Sequence, residues 1–370
     1  MLLQFTDDFG HGDGRFITYM NIYSNPIADI QGIDSVEIDK KQNQVKYGDV
    51  LFTMSSETPA EVGMSSVWCG NKTNTYLNSF CFGYRPKIEI ELFYLAYLLR
   101  SPIVRKKLIY LAQGISRYNI SKNRVMDINI SLPSFSEQEK IGGFFRNFDD
   151  CITLYQRKLT HLQAKKKCLL QKMFPKKGER FPELRFPGFT NAWEQKKLGN
   201  LVSIKSGQPP SEFEIGQVLY VKVDDLNHSV REQTHSQMLV SDNEHASKVS
   251  RGSIIFPKRG AAIMTNKVRI MTVDGYIDTN MMALEPKNIY GNFLYVVIDR
   301  IGLYKIADTS TIPQINNKHI EPYEITLPKT DEQQEIGEFF KSLDNLIILH
   351  ERKLAHLQTQ KKALLQQMFV

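Results

Sequence analysis

The stretch LPSFSEQEKIGGFFRNFDDCITLYQRKLTHLQAKKKCLLQKMF, residues 132–174, occurs a second time as LPKTDEQQEIGEFFKSLDNLIILHERKLAHLQTQKKALLQQMF, residues 327–369. The offset is 195 at every position, and 24 of the 43 aligned residues are identical. Solenoid repeats have periods of tens of residues, so a period near 200 indicates a duplicated module instead. We expect a variable domain followed by a constant helix, twice in one chain.

Both copies of the repeat predict a long helix with one apolar seam. Bulky residues recur at alternating steps of three and four over more than four heptads, which is the coiled-coil pattern. In the first copy they are Ile141, Phe145, Phe148, Ile152, Tyr155, Leu159, Leu162, Leu169 and Met173, and in the second Ile336, Phe340, Leu343, Ile347, His350, Leu354, Leu357, Leu364 and Met368. Each copy opens on Leu-Pro, which disfavours helix upstream.

A single apolar seam needs a partner, and the other copy is the natural candidate. Lys166 and Lys361 occupy the same seam position, where a polar residue fixes the register of a coiled coil at a cost in stability. Because a proline-punctuated linker leads from the first helix to the next domain at Trp193, we favour antiparallel packing with pseudo-twofold symmetry. The sequence leaves parallel packing open.

Composition sets limits on the class of protein. The net charge is +7, which raises the question of a nucleic-acid partner. No run of 18 apolar residues predicts a membrane span, and the first residues lack the pattern of a signal peptide. Four scattered cysteines, Cys69, Cys81, Cys151 and Cys168, contain no CxxC pair, so we expect reduced thiols and a cytoplasmic location.

The variable segments predict two related domains of mixed α/β class. VKYGDVLFT, residues 45–53, matches VSRGSIIFP, residues 249–257, and each places a glycine turn before a short β-rich run. ELFYLAYLLRS, residues 91–101, has helical spacing and a weaker counterpart at residues 292–300. WEQKKL, residues 193–198, has no equivalent near residue 1, so we expect the first domain to lack an opening strand.

Together these features resemble one family, the specificity subunits of type I restriction–modification enzymes. The resemblance rests on the doubled LP-x-x-x-EQ-x-x-IG motif, the basic helices ending LLQKMF and LLQQMF, and W-x-x-x-x-LG at residues 193–199. The motif G-D/S-hydrophobic-hydrophobic-F at Gly48 and Gly252 belongs to the same set. Each motif is weak alone, and their order and duplication make them specific.

This resemblance implies target-recognition domains at residues 1–131, with an incomplete amino terminus, and at 193–326. Coiled-coil helices at 132–177 and 327–370 and a linker at 178–192 complete the chain. Each domain would read half of a bipartite sequence in double-stranded DNA. The helices would dock two methyltransferase subunits, and the full complex would include restriction or motor subunits. We place the partner-binding residues on the helices at Phe145, Phe148, Ile152, Phe340, Leu343 and Ile347.

DNA recognition needs cations for phosphates and forked side chains for base edges. The second domain offers both in two clusters and one further loop, and the first domain has two counterparts. The candidates are Lys258, Arg259 and Lys267, then Thr311, Gln314, Asn316 and Lys318, then Lys205, and in the first domain Ser55 and Ser56, then Arg117, Tyr118 and Lys122. The plainer alternative for each residue is a solvated polar loop.

We find no motif for catalysis. Neither an N-P-P-F-type loop nor a G-x-x-x-x-G-K-[ST] phosphate loop is present, so we expect a non-catalytic subunit. We expect no catalytic residue, metal or cofactor on this chain, with S-adenosylmethionine, ATP and Mg²⁺ on the partner subunits. Two alternatives stay open at this point: a coiled-coil scaffold without sequence-specific DNA binding, and a self-sufficient DNA methyltransferase or nuclease.

Overall fold

A computed structural model describes residues 9–38, 43–309 and 312–369. The chain divides into two compact units. Unit 1 comprises the residues up to Gln156 together with those from Lys353 onward, and unit 2 is Arg157–Arg352. Among the described residues, no helix combines the length and hydropathy that a membrane crossing requires.

Unit 1 contains short strands and helices followed by the beginning of a long helix. The strands are β1 (Phe9–Ile17), β2 (Ile33–Val36), β3 (Val50–Thr53), β4 (Ser55–Ser56), β5 (Ser65–Val67), β6 (Thr75–Leu77), β7 (Cys81–Tyr84) and β8 (Tyr118–Asn119). The helices are α1 (Tyr19–Ser24), α2 (Leu92–Arg100), α3 (Pro102–Tyr110), α4 (Lys122–Met126) and the long α5 (Phe135–Lys172), which belongs to unit 1 as far as Gln156. The sheets have the strand orders β2-β1-β6, β5-β3-β7 and β4-β8.

Unit 2 repeats this plan with additional strands. Its strands are β9 (Glu194–Lys197), β10 (Val202–Ser206), β11 (Ile215–Val221), β12 (Glu232–Gln233), β13 (Met238–Val240), β14 (Ile254–Pro257), β15 (Arg269–Met271), β16 (Gly275–Ile277), β17 (Met281–Pro286) and β18 (Glu324–Leu327). Its helices are α6 (Gly291–Ile301), α7 (Leu303–Ile306), α8 (Asn317–Ile320) and the long α9 (Thr330–Met368), which continues into unit 1 from Lys353. The strand orders are β13-β11-β16, β10-β17-β14-β15-β12 and β18-β9.

The two units share a topology, which confirms the predicted mixed α/β class and its duplication. In unit 1 β1 pairs antiparallel with β2 and parallel with β6, and in unit 2 β11 pairs in the same way with β13 and β16. The β5-β3-β7 sheet corresponds to β15-β14-β17. Within the described ranges, unit 1 has no counterpart of β9, β10 or β12.

The long helices pack antiparallel within each unit. In unit 2, Gln163 of α5 contacts Glu351 of α9, and Lys166, further along α5, contacts Asp344, an earlier residue of α9. In unit 1, Phe145 stacks on Phe369, and Asp149 pairs with Lys361. Every one of these pairs runs in opposite directions along the two helices, as predicted.

The seam lysines bind carboxylates that sequence reasoning had not identified. In unit 2, Lys166 Nζ lies 2.7 Å from Asp344 and 3.6 Å from Asp299, while Arg231, 1% exposed, lies 3.0 Å from the other oxygen of Asp344. Burial raises the pKa of Asp299. Lys361 makes the equivalent ion pair with Asp149 in unit 1. Asp149 and Asp344 are equivalent positions of the repeat, so the two ion pairs hold the long helices in the same register in both units.

The repeat motif attaches each globular domain to its helix. The side-chain amide of Gln138 accepts a hydrogen bond from the backbone N–H of Glu91, at the start of α2 (3.1 Å), and donates to the carbonyl of Pro133 (3.0 Å). Gln333 makes the same two bonds, at 2.9 Å with Tyr290 before α6 and at 2.8 Å with the repeat's proline. The first turn of a helix has unpaired N–H groups, so this glutamine satisfies one of them.

The glycine of the same motif allows close packing. A Cβ on Gly142 would lie 2.6 Å from the backbone nitrogen of Tyr94, and one on Gly337 would lie 2.8 Å from that of Phe293. No larger residue fits without moving backbone. EQ-x-x-IG is therefore a structural joint in both units.

Candidate nucleic-acid interface

Three of the predicted loops of unit 2 lie at one end of its five-stranded sheet. Strands β10 and β14 both run antiparallel to β17, so they end on the same side. Ser206 at the end of β10 and Phe256 near the end of β14 both lie opposite Met282 of β17. The residues after β10 and β14 therefore emerge from neighbouring positions at this edge.

Backbone hydrogen bonds join the two main clusters of unit 2. The carbonyl of Lys258 accepts from the N–H of Ile315 (2.9 Å), and the N–H of Gly260 donates to the carbonyl of Pro313 (2.8 Å). Between them, Arg259 and Gln314 form an isolated antiparallel bridge. Gly260 has φ +74°, where a side chain would be strained. The clusters are far apart in sequence and form one surface in the fold.

This surface carries cations without partners among the described residues. Arg259 and Lys318 are exposed, and neither forms an ion pair with any of those residues. Lys258 is half-buried, and its pKa is lowered by burial and by the neighbouring charge of Arg259. A cation in such a position gains most from an incoming anion, because the anion restores favourable interactions with the charged form. Thr311 lies outside the described residues.

The remaining candidates of unit 2 are engaged within the chain. Lys205 forms an ion pair with Glu285 at 2.9 Å, so its charge is already partnered by a neighbouring strand, and its role in DNA binding stays a prediction. Lys267 donates to the amide oxygen of Asn227. Asn316 is exposed and caps α8, and Gln314 is half-buried beside Arg259.

Unit 1 forms the equivalent surface from its own two clusters. Strand β4 pairs antiparallel with β8, placing Ser55 opposite Asn119 and Ser56 opposite Tyr118. The bond from the Ile120 N–H to the Met54 carbonyl (3.0 Å) is the counterpart of the bond between Ile315 and Lys258. The predicted pairs of clusters therefore meet in both units.

Ser55 and Ser56 require a correction. Each is only 7% exposed, so their side chains offer almost no surface to DNA, and they serve instead as the strand that positions β8. Two candidate cations of unit 1 are exposed: Arg117, whose guanidinium lies 5.9 Å from the ring of Phe80, and Lys122. Tyr118 is half-buried.

Sequence reasoning missed two residues close to the surface of unit 2. Tyr304 is 45% exposed, and the ammonium of Lys305 lies 5.8 Å from its ring. Helix α7, which carries both, ends two residues before Asp308, whose backbone pairs with Gln314. The adjacent aromatic and basic residues were the sequence feature that could have indicated them.

The helix residues predicted to bind partner subunits are also corrected. Phe145 and Phe340 are fully buried, and Ile152, Leu343 and Ile347 are less than 10% exposed, so their side chains belong to the protein's own core. Phe148 is half-buried. The large apolar residues that the described parts of these helices expose are Phe135 (41%), Phe144 (40%), Leu154 (49%), Leu346 (40%) and Leu349 (62%). Leu154 and Leu349 are equivalent positions of the repeat.

Comparisons with known proteins agree with this architecture. A curated relative, the type I restriction enzyme MjaVIII specificity subunit of Methanocaldococcus jannaschii, is 23% identical over 89% of this chain and 80% of its own length. The crystal structure of the type I restriction–modification S subunit from M. genitalium superimposes with a TM-score of 0.62 at 16% identity, covering all of this chain and 92% of that one.

A second solved structure, described as the structural basis of complex assembly and conformational transition of the type I R-M system, gives a TM-score of 0.56 at 17% identity. It covers 96% of this chain and 91% of its own. The family model for the type I restriction modification DNA specificity domain matches residues 10–164 and again residues 191–359. With both halves matched, this chain belongs to the family of type I restriction modification DNA specificity domains.

Proposed function

We propose that this chain is the DNA-reading specificity subunit of a type I restriction–modification complex, with one half of a bipartite duplex target read by each domain. The observation that carries the proposal is the joining of two distant loop clusters into one surface in each unit. In unit 2 the surface is built on Lys258–Arg259 and Gln314, and in unit 1 on Ser55–Ser56 and Tyr118–Asn119. A solvated loop needs no such pairing.

The chemistry of the surfaces suits a polyanion with readable edges. Lys258, Lys318 and Lys122 would bind phosphates, which sets position without sequence information. Arg259 and Arg117 present forked donors of the kind that pair with guanine O6 and N7. The loops differ between the units, so the two half-sites should differ. We assign the reading domains to residues 1–131 and 193–326.

We further propose that the chain has no catalytic centre of its own and acts in the cytoplasm. Methylation would then require two methyltransferase subunits, and S-adenosylmethionine, ATP and Mg²⁺ would bind to the methyltransferase and motor subunits. Since the seam residues are buried, we place docking on the exposed apolar positions Leu154 and Leu349. Equivalent positions on one chain suit two copies of the same partner.

A domain exchange tests the reading function. Residues 193–326, replaced by the matching segment of a relative, should change one half-site of the methylated motif and leave the other half unchanged. Sequencing that detects methylated adenines in the host genome reports both halves at once. Unchanged half-sites, or a change in both, would refute the two-reader model. Turnover by the purified chain alone, with S-adenosylmethionine and DNA, would refute the non-catalytic assignment.

A further inference from the structure

Unit 2 contains a large cavity that is separate from the two joined loop clusters. Its volume is about 1270 Å³, and the last turns of α5 and α6, residues 175–180 and strand β18 form its walls. No residue of the two clusters lines it. Small-molecule sites typically have volumes of roughly 300–1,000 Å³, so the cavity has room for a ligand of that class.

The segment that follows α5 is held in place as one wall of this cavity. The backbone N–H of Trp193 donates to the carbonyl of Arg180 (2.9 Å), and Arg180 Nε donates to the carbonyl of Trp193 (3.0 Å). Between them, Arg185 donates two hydrogen bonds to the carboxylate of Glu332, at 2.7 and 2.6 Å. These bonds fix residues 175–193 against α9, so the cavity is formed before any ligand binds.

The lining of the cavity is rich in cations. Six basic side chains line it against three carboxylates, and none of the six forms an ion pair with a residue that the structure describes. The six are Lys167, Lys176, Lys177, Arg180, Arg300 and Lys305. One of the carboxylates, Asp299, already pairs with Lys166 outside the lining. The cavity therefore has an excess of positive charge and favours an anion.

The two arginines are each anchored through one nitrogen. Arg300 Nε donates to the carbonyl of Leu170 (2.9 Å), and its guanidinium lies 4.8 Å from the centre of the Phe174 ring. Arg180 is anchored through Nε to Trp193. Within the described residues, the terminal NH₂ groups of both arginines form no hydrogen bond. Burial lowers the pKa of Arg300, so its charged form would gain from a bound anion.

A buried indole N–H also borders the cavity. Trp193 lines it and is fully buried, and its Nε1 has no hydrogen-bond partner in the part of the chain that the structure describes. A buried donor without a partner costs about 1–3 kcal/mol. An acceptor in the cavity would offset that cost. Trp68 of unit 1 has an unpaired N–H as well, but it does not line this cavity.

We propose that this cavity binds a small oligophosphate anion, with the two guanidinium groups and the indole N–H donating to its oxygens. A guanidinium fork matches two oxygens of one phosphate, and two such forks suit an anion with more than one phosphate. The four lysines would neutralise the additional charge. A concave site fits a compact anion better than a DNA duplex, whose phosphates lie on a convex surface. The proposal does not depend on DNA reading.

The two tryptophans of the chain allow a direct test. The full-length chain labelled with fluorotryptophan should give two fluorine NMR signals, which Trp68→Phe assigns. Sodium triphosphate should shift the Trp193 signal saturably and leave the Trp68 signal in place. Sulfate at equal ionic strength should bind about tenfold more weakly or less. Equal binding of the two anions, equal shifts of both signals, or no shift would overturn the proposal.

The nature of the phosphate compound is tested in the same way. Tighter binding of ATP than of triphosphate would identify a nucleotide as the ligand, and equal binding would identify an inorganic oligophosphate. A DNA duplex that shifts the Trp193 signal at lower concentration than either small anion would refute a small-molecule site.

Substitutions of exposed lysines separate this site from the general charge of the chain. Lys167→Ala with Lys177→Ala should weaken triphosphate binding about tenfold. The control pair Lys165→Ala with Lys287→Ala removes the same charge from exposed positions outside the lining and should leave the affinity nearly unchanged. Arg180→Lys keeps the charge but loses the fork, so it should also weaken binding. Equal losses in the two lysine pairs would mean that net charge alone attracts the anion, which would contradict the site.

Discussion

The buried ion pairs of the seam should stabilise the two units unequally, and Asp344→Ala with Asp149→Ala measures the difference. The two aspartates are equivalent in the repeat, so the substitutions are chemically identical. Asp344 has a side chain only 6% exposed and bonds both Lys166 and the fully buried Arg231. Removing it leaves two cations near each other in a low-dielectric site.

Burial sets the expected magnitudes. Breaking a buried pair by removing one partner costs roughly 3–5 kcal/mol, because an unpaired charge remains inside. We expect that loss for Asp344→Ala in unit 2. The Asp149 side chain is 31% exposed and loses one ion pair and a hydrogen bond from Tyr97, so about 1–2 kcal/mol is expected in unit 1.

Hydrogen exchange measures both values in one chain. Two compact units need not unfold together, so a single melting curve does not assign the loss. The opening free energies of amides in α6 report on unit 2, and those in α2 report on unit 1. Adding Lys166→Met to Asp344→Ala should recover part of the loss by removing one stranded cation. Equal losses in the two units, or a larger loss from Asp149→Ala, would refute the argument from burial.

Other expectations follow from the same contacts. If Arg259 donates two hydrogen bonds to a guanine, Arg259→Ala should cost about 1–3 kcal/mol of DNA-binding free energy and relax specificity at one base position. Binding titrations measure the first effect and the methylated motif of the host genome the second. An equal loss of affinity for all sequences, with a smaller dependence of binding on salt, would instead mean that Arg259 contacts a phosphate. Leu154→Asp with Leu349→Asp should abolish co-purification with the methyltransferase without lowering the melting temperature. The control pair Ala164→Asp with Thr359→Asp, also exposed and equivalent in the repeat, should leave co-purification intact. A folded Leu154/Leu349 double variant that still binds two partners would contradict the docking site. Because burial raises the pKa of Asp299, the folded state holds that proton more tightly than the unfolded state, so stability from this group falls as pH rises above its ordinary pKa of 3.8. Asp299→Asn should remove this loss of stability between pH 4 and pH 7, which chemical denaturation at the two pH values measures. An unchanged pH dependence of the unfolding free energy in the variant would contradict the role of Asp299.

Much of the fold was predictable because the repeat displays it twice. The heptad seam, its two lysines and the Leu-Pro boundaries are local patterns that predict the two helices, while antiparallel packing was only favoured, from the proline-punctuated linker, with parallel packing left open. The two carboxylates are also visible in the sequence, because Asp149 recurs as Asp344 in the repeat. Assigning each of them to a seam lysine, however, requires the register of the two helices. Arg231 could not be found this way, because it lies far from both long helices in sequence, between β11 and β13.

The candidate site was predictable as clusters and less so as side chains. Strand ends rich in cations mark a surface, and the structure joins those clusters in both units. Burial is a property of the tertiary fold: Ser55 has the sequence character of a polar loop residue but is only 7% exposed, and the sequence does not show that Lys205 pairs with Glu285. Likewise, Phe145 and Leu154 are both apolar helix residues, and only the packed structure assigns one to the core and the other to the surface.

The two ends of β14 perform different tasks, and this separation explains how one scaffold can support different readers. Gly252, just before the strand, lies 3.6 Å from the Cβ position of Gly291 at the start of α6, the helix that Gln333 and Gly337 join to α9. Six residues later, roughly 20 Å along an extended chain, Lys258 lies at the candidate surface. The joint depends on the side-chain amide of Gln333 and on a glycine without a side chain, while the surface depends on loop side chains such as Arg259 and Lys318. Substitutions in the loops can therefore change what is read without loosening the attachment, whereas a larger residue at Gly337 should displace the domain whatever its loops contain.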